Sequence, residues 1–417
     1  MISPSTHGRK MHTLKVFFSI IGGLLLLFPS AQNAFAKPPH ALPMTELQVP
    51  AHGASQQHHL AQTAGGELIV SWVEIDGGSS TAKFSILEKQ GWSMPLTVVK
   101  VEGKLADPPV VLGLSDGSLA AAWMPYVKDS PDRYAADIYL ARSIDGGLTW
   151  SAPLKPYGDD ARIYDAQMSL AALPDARLAL VWSDMRYTSH DSSADKQNNR
   201  YQLMASVIDK NWRASPELVL DNDVCSCCRS YTDAQEEQLV TVYRDHAVGE
   251  IRDISAVRWQ ADGHPQIANV HADGWVIGGC PSNGPSVDLT PTSSVAAWFT
   301  AADGKGRVKV AFSSDKGAQF NQPIELDADA SGYANALLLD DGSALVSWRG
   351  RNGPEDELRV AKVTTDGKVS RETTVYRGSF PKWPSKYLGM ARIGKQAFVA
   401  WTDPVQKKVR LVSLTID

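Results

Sequence analysis

Short apolar runs of strand length recur along the whole chain, each broken by a Gly/Asp turn and followed by another apolar run that ends near an aromatic residue. The second runs are Glu67–Trp72, Ser118–Trp123, Arg177–Trp182, Gln238–Tyr243, Ser294–Trp298, Ser343–Trp348 and Gln396–Trp401. Their closing aromatics lie 51, 59, 61, 55, 50 and 53 residues apart. No stretch carries a convincing 3.6-residue amphipathic period, so the pattern predicts β-strands throughout.

A repeat of this length built from short strands predicts a β-propeller, one strand–turn–strand phrase per blade. Seven repeats predict seven four-stranded blades; six remain if one repeat is misread, and a pair of β-sandwiches is the plainer alternative. The last repeat offers only three strands: Tyr387–Arg392, Gln396–Trp401 and Lys408–Leu414. The loose segment Thr45–Val49 is predicted to complete that blade, which closes the ring and hides both sheet edges. Residues 37–417 then form one domain. Within each blade, strands A to D run outward from the axis. Loops D–A and B–C emerge on one face, and loops A–B and C–D on the other.

Residues 1–36 read as a secretory signal. Arg9, Lys10 and Lys15 precede an apolar segment of 13 residues, Val16 to Phe28, and Ala34-Phe35-Ala36 fits a cleavage site before Lys37. The segment is short for a membrane span. The expectation is an exported protein, periplasmic or secreted, with no membrane association after cleavage. Export makes disulfides permissible. A net charge of −5 without Lys/Arg runs gives no footprint for a nucleic-acid partner.

One phrase occurs twice in the same strand context. Ser143-Ile144-Asp145-Gly146-Gly147-Leu148-Thr149-Trp150 is matched by Ser313-Ser314-Asp315-Lys316-Gly317-Ala318-Gln319-Phe320. The Asp can accept backbone N–H groups inside the turn, the second Gly can take a positive φ, and the aromatic can pack back over the hairpin. The pattern resembles the Asp-box, or BNR repeat, of the sialidase-like β-propellers. In that family the box is a folding element on the C–D turn, away from the substrate.

All four cysteines follow the predicted cleavage site. Cys225, Cys227 and Cys228 lie in the loop entering blade four, and Cys280 in the loop entering blade five. Adjacent blades and a shared face bring the four together, with the B–C loop from Arg244 through His246 to Glu250 opening beside them. Three readings stay open: two structural disulfides, a soft-metal site, or redox chemistry helped by Arg229 or Arg244. The metal reading takes Cys225, Cys227, Cys228, Cys280 and His246 as donors, with copper as the favoured ion.

The sialidase resemblance also implies an arginine triad for a carboxylate and a tyrosine nucleophile with a Glu partner. Arg186, Arg244 and Arg349 follow B strands on the appropriate face, and Tyr333 begins an inner strand in Gly332-Tyr333-Ala334-Asn335. The family's early Arg-Ile-Pro segment and the activating Glu are missing. Asp107 and Asp165 are candidate acids without matching context. His58 and His59 start the first inner strand and are expected to be packed. The leading function is therefore soft-metal binding or thiol redox; a retaining exo-sialidase and a non-catalytic interaction scaffold are the alternatives. The expected partner is a metal ion or small molecule on the D–A/B–C face.

Overall fold

The computed structural model of the protein describes residues 41–416 apart from 131–133, 159–162, 165–166, 187–200 and 262–263. The proposed signal segment and Asp165 lie outside the described residues. The fold is all-β, with seven blades and, among the described residues, one 3-10 turn, Pro174–Ala176. The inner strands are Ser55–Gln62, Val110–Gly113, Met168–Leu173, Tyr231–Gln235, Ser286–Leu289, Ala330–Leu338 and Gly389–Ile393. Each opens an antiparallel meander, and neighbouring inner strands touch in sequence round a closed ring. Blade one carries a fifth short strand, and in blade two three strands form the ladder while the single bridge Leu140–Leu154 stands for the fourth.

The ring closes as expected. Met44–Leu47 pairs antiparallel with the last strand, Met44 opposite Leu414 and Leu47 opposite Leu411. The first chain segment thus becomes the outer strand of blade seven, and the edge of that sheet is covered.

The periodic aromatics form the cores between blades. Trp72, Trp182, Trp298, Trp348 and Trp401 are all buried, so they are packing residues and not sugar platforms. Burying an indole requires a partner for its N–H. Four find one: Trp72 donates to Glu74 at 3.0 Å, Trp182 to Asp184 at 2.8 Å, and Trp298 and Trp348 to Asp273 and Asp327, each at 2.7 Å. Polar side chains on the inner strands stitch each blade to the next. Backbone amides of Thr232, Leu289, Ala336 and Leu338 donate to Ser169, Asp233, Ser286 and Asp288 across blade boundaries. The inner strands surround a channel of about 800 Å³. On its wall Asp233 and Asp288 share a hydrogen bond, and removal from bulk water raises their carboxyls to about 6 and about 8.

The two Ser-x-Asp turns have the same hydrogen bonds. Ser143 and Ser313 each donate to the following Asp at 2.7 Å. Gly147 and Gly317 amides donate to those serines at 2.8 and 2.9 Å, and Thr149 and Gln319 amides donate to Asp145 and Asp315 at 2.9 Å. Gly147 has φ +92°, and a β-carbon there would sit 2.3 Å from the Phe84 ring. The turn abuts blade one that closely, and Trp150 packs into the core that Ala141 of its own hairpin shares with Val73 and Ala82 of blade one. It meets Phe84 edge-to-face at 6.0 Å. Phe320 likewise packs into the core shared by blades four and five.

Candidate functional site on the loop face

The blade-four entrance loop is pinned before it reaches the cysteines. Val224 bridges to Asp245, and the Cys225 amide donates to the Arg244 carbonyl at 2.9 Å. The chain then turns back, the Cys228 amide donating to the Cys225 carbonyl at 3.3 Å. This tight turn points the Cys225 and Cys228 side chains inward, where both are buried, and leaves Cys227 half-buried.

Adjacent Cys227 and Cys228 diverge to different partners. Cys227 forms a disulfide with Cys280, whereas Cys225 and Cys228 are free thiols. The arrangement falls between the readings open from sequence: one disulfide, not two, beside an unoxidised pair. The Cys225 sulfur lies 3.5 Å from that of Cys228 and 3.5 Å from that of Cys227. The sulfurs of Cys225, Cys227 and Cys228 all lie within 4.8 Å of one another. In the disulfide, Cys227 offers no thiolate, so the oxidised protein presents two ligating thiols and not three.

The two thiols differ electrostatically. Burial pushes Cys228 up, but the hydrogen bond from Cys225, the Arg244 charge, the Asn283 amide and the Lys386 charge together outweigh it and bring it down to about 6. Donating that hydrogen bond, together with burial, pushes Cys225 up. Arg244 thus acts on the pair as expected. Arg229 instead forms an ion pair with buried Asp107 and lies 4.1 Å from the Tyr387 ring centre. Burial raises the Asp107 carboxyl despite that partner.

His246 lies apart from the three sulfurs. Its Nδ1 is 2.8 Å from Asp223 and its Nε2 3.4 Å from Glu250. His58 and His59 are packed at the axis, and burial holds both neutral, at about 4 and about 3. His58 Nδ1 meets Thr402 at 3.3 Å.

The three candidate arginines are each engaged locally. Arg186 pairs with Asp184 at 2.8 Å and with Glu217. Arg244 is buried, donating to the carbonyls of Asn283, Arg252 and Phe299 and lying 4.7 Å from the Trp275 ring centre. Arg349 pairs with Asp356 and lies over the Tyr333 ring at 4.7 Å. Tyr333 itself has φ +57°, a strained value for a non-glycine residue. Its amide donates to the Asn283 side chain at 2.8 Å, and burial raises its phenol. Asn283 therefore ties the cysteine site to Tyr333 through one residue.

The loop entering blade seven supplies residues that sequence reasoning missed. Buried Lys386 donates to the Ser282 carbonyl at 3.1 Å and lies 5.0 Å, 5.3 Å and 5.8 Å from the ring centres of Trp383, Tyr387 and Tyr333. Tyr387 donates to Gln167 at 2.7 Å. The signal available was Pro381-Lys382-Trp383-Pro384-Ser385-Lys386-Tyr387, an aromatic and basic loop between two repeats. Among the described residues no helix is long and apolar enough to cross a membrane.

No family model matches the chain, and no curated protein matches it in sequence. Solved structures do resemble it in shape. An oligogalacturonate lyase in complex with manganese superposes with TM-score 0.53 at 13% identity, covering 92% of this chain and 99% of its own. A protein of unknown function from Dyadobacter fermentans superposes with TM-score 0.51 at 15% identity, covering 87% and 95%. A leech intramolecular trans-sialidase, at TM-score 0.44 and 11% identity over 84% and 82%, is too distant to carry an argument. Such identities speak for the fold and not for chemistry: the chain is a seven-bladed β-propeller with a cysteine cluster on its loop face.

Proposed function

We propose that this propeller is an exported protein that binds a soft metal ion, copper(I) above others, through Cys225 and Cys228. The observation that carries the reading is the buried pair of free thiols 3.5 Å apart, one of them held toward the thiolate by a buried guanidinium, an amide and Lys386. Soft thiolates select copper(I), zinc or iron–sulfur groups over magnesium, calcium or manganese. The lyase similarity is described with manganese, which favours oxygen donors, so that metal lends no support to a sulfur site. His246 is engaged by two carboxylates, and the proposed donor set is sulfur alone. Anaerobic titration with copper(I) held by a competing chromogenic chelator tests the reading. Binding of a defined stoichiometry that is lost in both Cys225→Ser and Cys228→Ser, with folding retained, supports it; binding unchanged in either variant refutes it.

Strained Tyr333 favours a second reading, a retaining glycosidase acting on an acidic sugar. A nucleophilic phenol needs help to ionise, and burial works against it here. Arg186, Arg244 and Arg349 hold their own local partners. The thiol reading is the better supported.

A further inference from the structure

The sulfur of Cys227 is asked for twice. It is the third member of the group with Cys225 and Cys228, and it is bonded to Cys280. Both cannot hold at once, because a disulfide sulfur carries no thiolate. The bond is also asymmetric in its surroundings. Cys227 sits half-buried against the two buried thiols, whereas Cys280 is exposed in the glycine-rich segment Gly278-Gly279-Cys280. The Cys280 sulfur lies 3.2 Å from the Ser282 hydroxyl, a donor placed for a sulfur that becomes anionic. An incoming thiol therefore meets Cys280 from solvent, and the sulfur it displaces is the one facing the metal-binding pair.

We propose that Cys280 is the point at which an external dithiol exchanges with the Cys227–Cys280 bond, and that this exchange frees Cys227 to complete a three-thiolate site with Cys225 and Cys228. One thiolate of the dithiol attacks the Cys280 sulfur. An S–S bond forms between them as the Cys227–Cys280 bond breaks, and Cys227 leaves as a thiolate. The second thiolate of the dithiol then attacks its own partner sulfur in the mixed disulfide. The dithiol closes to a cyclic disulfide, and Cys280 leaves as a thiolate that takes a proton from water. Two electrons pass from dithiol to protein. Cys280 belongs to a different blade and an exposed loop, so it swings clear while the other three sulfurs stay on one pinned turn. The proposal rests on the metal reading and gives it a control: oxidised protein offers two ligands, reduced protein three.

The experiment uses the whole chain, as isolated and after treatment with dithiothreitol that is then removed anaerobically. Copper(I) affinity is measured by chelator competition, and alkylation followed by mass spectrometry reports which cysteines are open. The reduced protein should bind tighter by roughly tenfold or more, with Cys280 newly alkylated. Cys280→Ser should bind like reduced protein without any dithiol, and Cys227→Ser should bind like oxidised protein and ignore dithiol. Equal affinity in both redox states, with Cys280→Ser unchanged, would overturn the gate and leave the metal reading intact. Absence of copper(I) binding by reduced protein and by folded Cys280→Ser would overturn the metal reading, and the gate with it. Alkylation of Cys280 before any dithiol is added would also overturn the gate, since the bond would then open without an external partner.

Discussion

The two faces of this propeller put cysteine-free and cysteine-bearing loops to opposite uses. On the C–D face, the turns at Ser143–Trp150 and Ser313–Phe320 are near copies: the same hydrogen bonds from the Ser hydroxyl and from the Gly and seventh-position amides, and an aromatic that reaches the core shared with the neighbouring blade. On the D–A face, three of the loops carry three different features. The loop entering blade four holds buried thiols, that entering blade five an exposed disulfide sulfur, and that entering blade seven a lysine among aromatic rings. A motif repeated in register satisfies a need that every blade shares, namely closing a hairpin against its neighbour. A loop that occurs once answers to something outside the repeat. Polar groups that are buried but unrepeated, such as Cys228 and Lys386, cost burial without serving each blade, so they mark the face where a ligand is to be sought.

Breaking the repeated side should cost stability and spare chemistry. Trp348→Ala removes a fully buried indole and is expected to destabilise the protein by about 3–5 kcal/mol, measured by denaturant unfolding, while the fraction still folded binds metal with unchanged stoichiometry. Removing residues 41–50 uncovers the edge that Met44–Leu47 covers; a broader, less cooperative unfolding transition is expected, and a transition identical to that of the full chain would speak against closure by this strand. Gly147→Ala places a β-carbon against Phe84 at a positive φ and should cost more than about 1 kcal/mol, again without touching the thiols.

The channel gives a smaller, pH-dependent effect. Asp233 and Asp288 titrate near 6 and 8 in the native state, above the ordinary aspartate value of 3.8. The native protein therefore keeps protons that the unfolded chain has already lost, and stability should fall as pH rises from about 4 to about 8. Asp288→Asn should flatten that slope, so the variant gains on the wild type toward pH 8. A slope unchanged in the variant would show that the pair does not share a proton. The smallest change is expected at Tyr333. Release of sialic acid from an aryl sialoside should be negligible in wild type and in Tyr333→Phe alike; robust turnover that vanishes in the variant would promote the glycosidase reading.

Most of the architecture was legible in the sequence because it is periodic. The aromatics from Trp72 to Trp401 mark one strand per blade, and the orphan strand near Thr45 had only one sheet short of a partner. For Trp150 the local pattern indicates the hairpin core it joins, but it cannot show that Phe84, in another blade, lies within a β-carbon's reach of Gly147. The site was legible only as a gathering of cysteines. Which of Cys227 and Cys228 reaches Cys280 depends on the turn that pins Cys225 to the Arg244 carbonyl, a contact between residues far apart in pattern. The fates of Arg186 and Arg349 depend on Glu217 and Asp356, whose positions follow from blade geometry. Lys386 and Asn283 carried no repeat and no motif, and they became visible only once three loops were seen to meet.

A soft ion held on the loop face by sulfur alone would have a first shell of sulfur atoms. X-ray absorption at the copper edge, on reduced full-length protein loaded with one equivalent of copper(I), tests it directly. The expected result is a shell of sulfur scatterers that is lost when Cys225 and Cys228 are both replaced by serine. A nitrogen or oxygen shell with the outer scattering of imidazole, unchanged in that double variant, would contradict it.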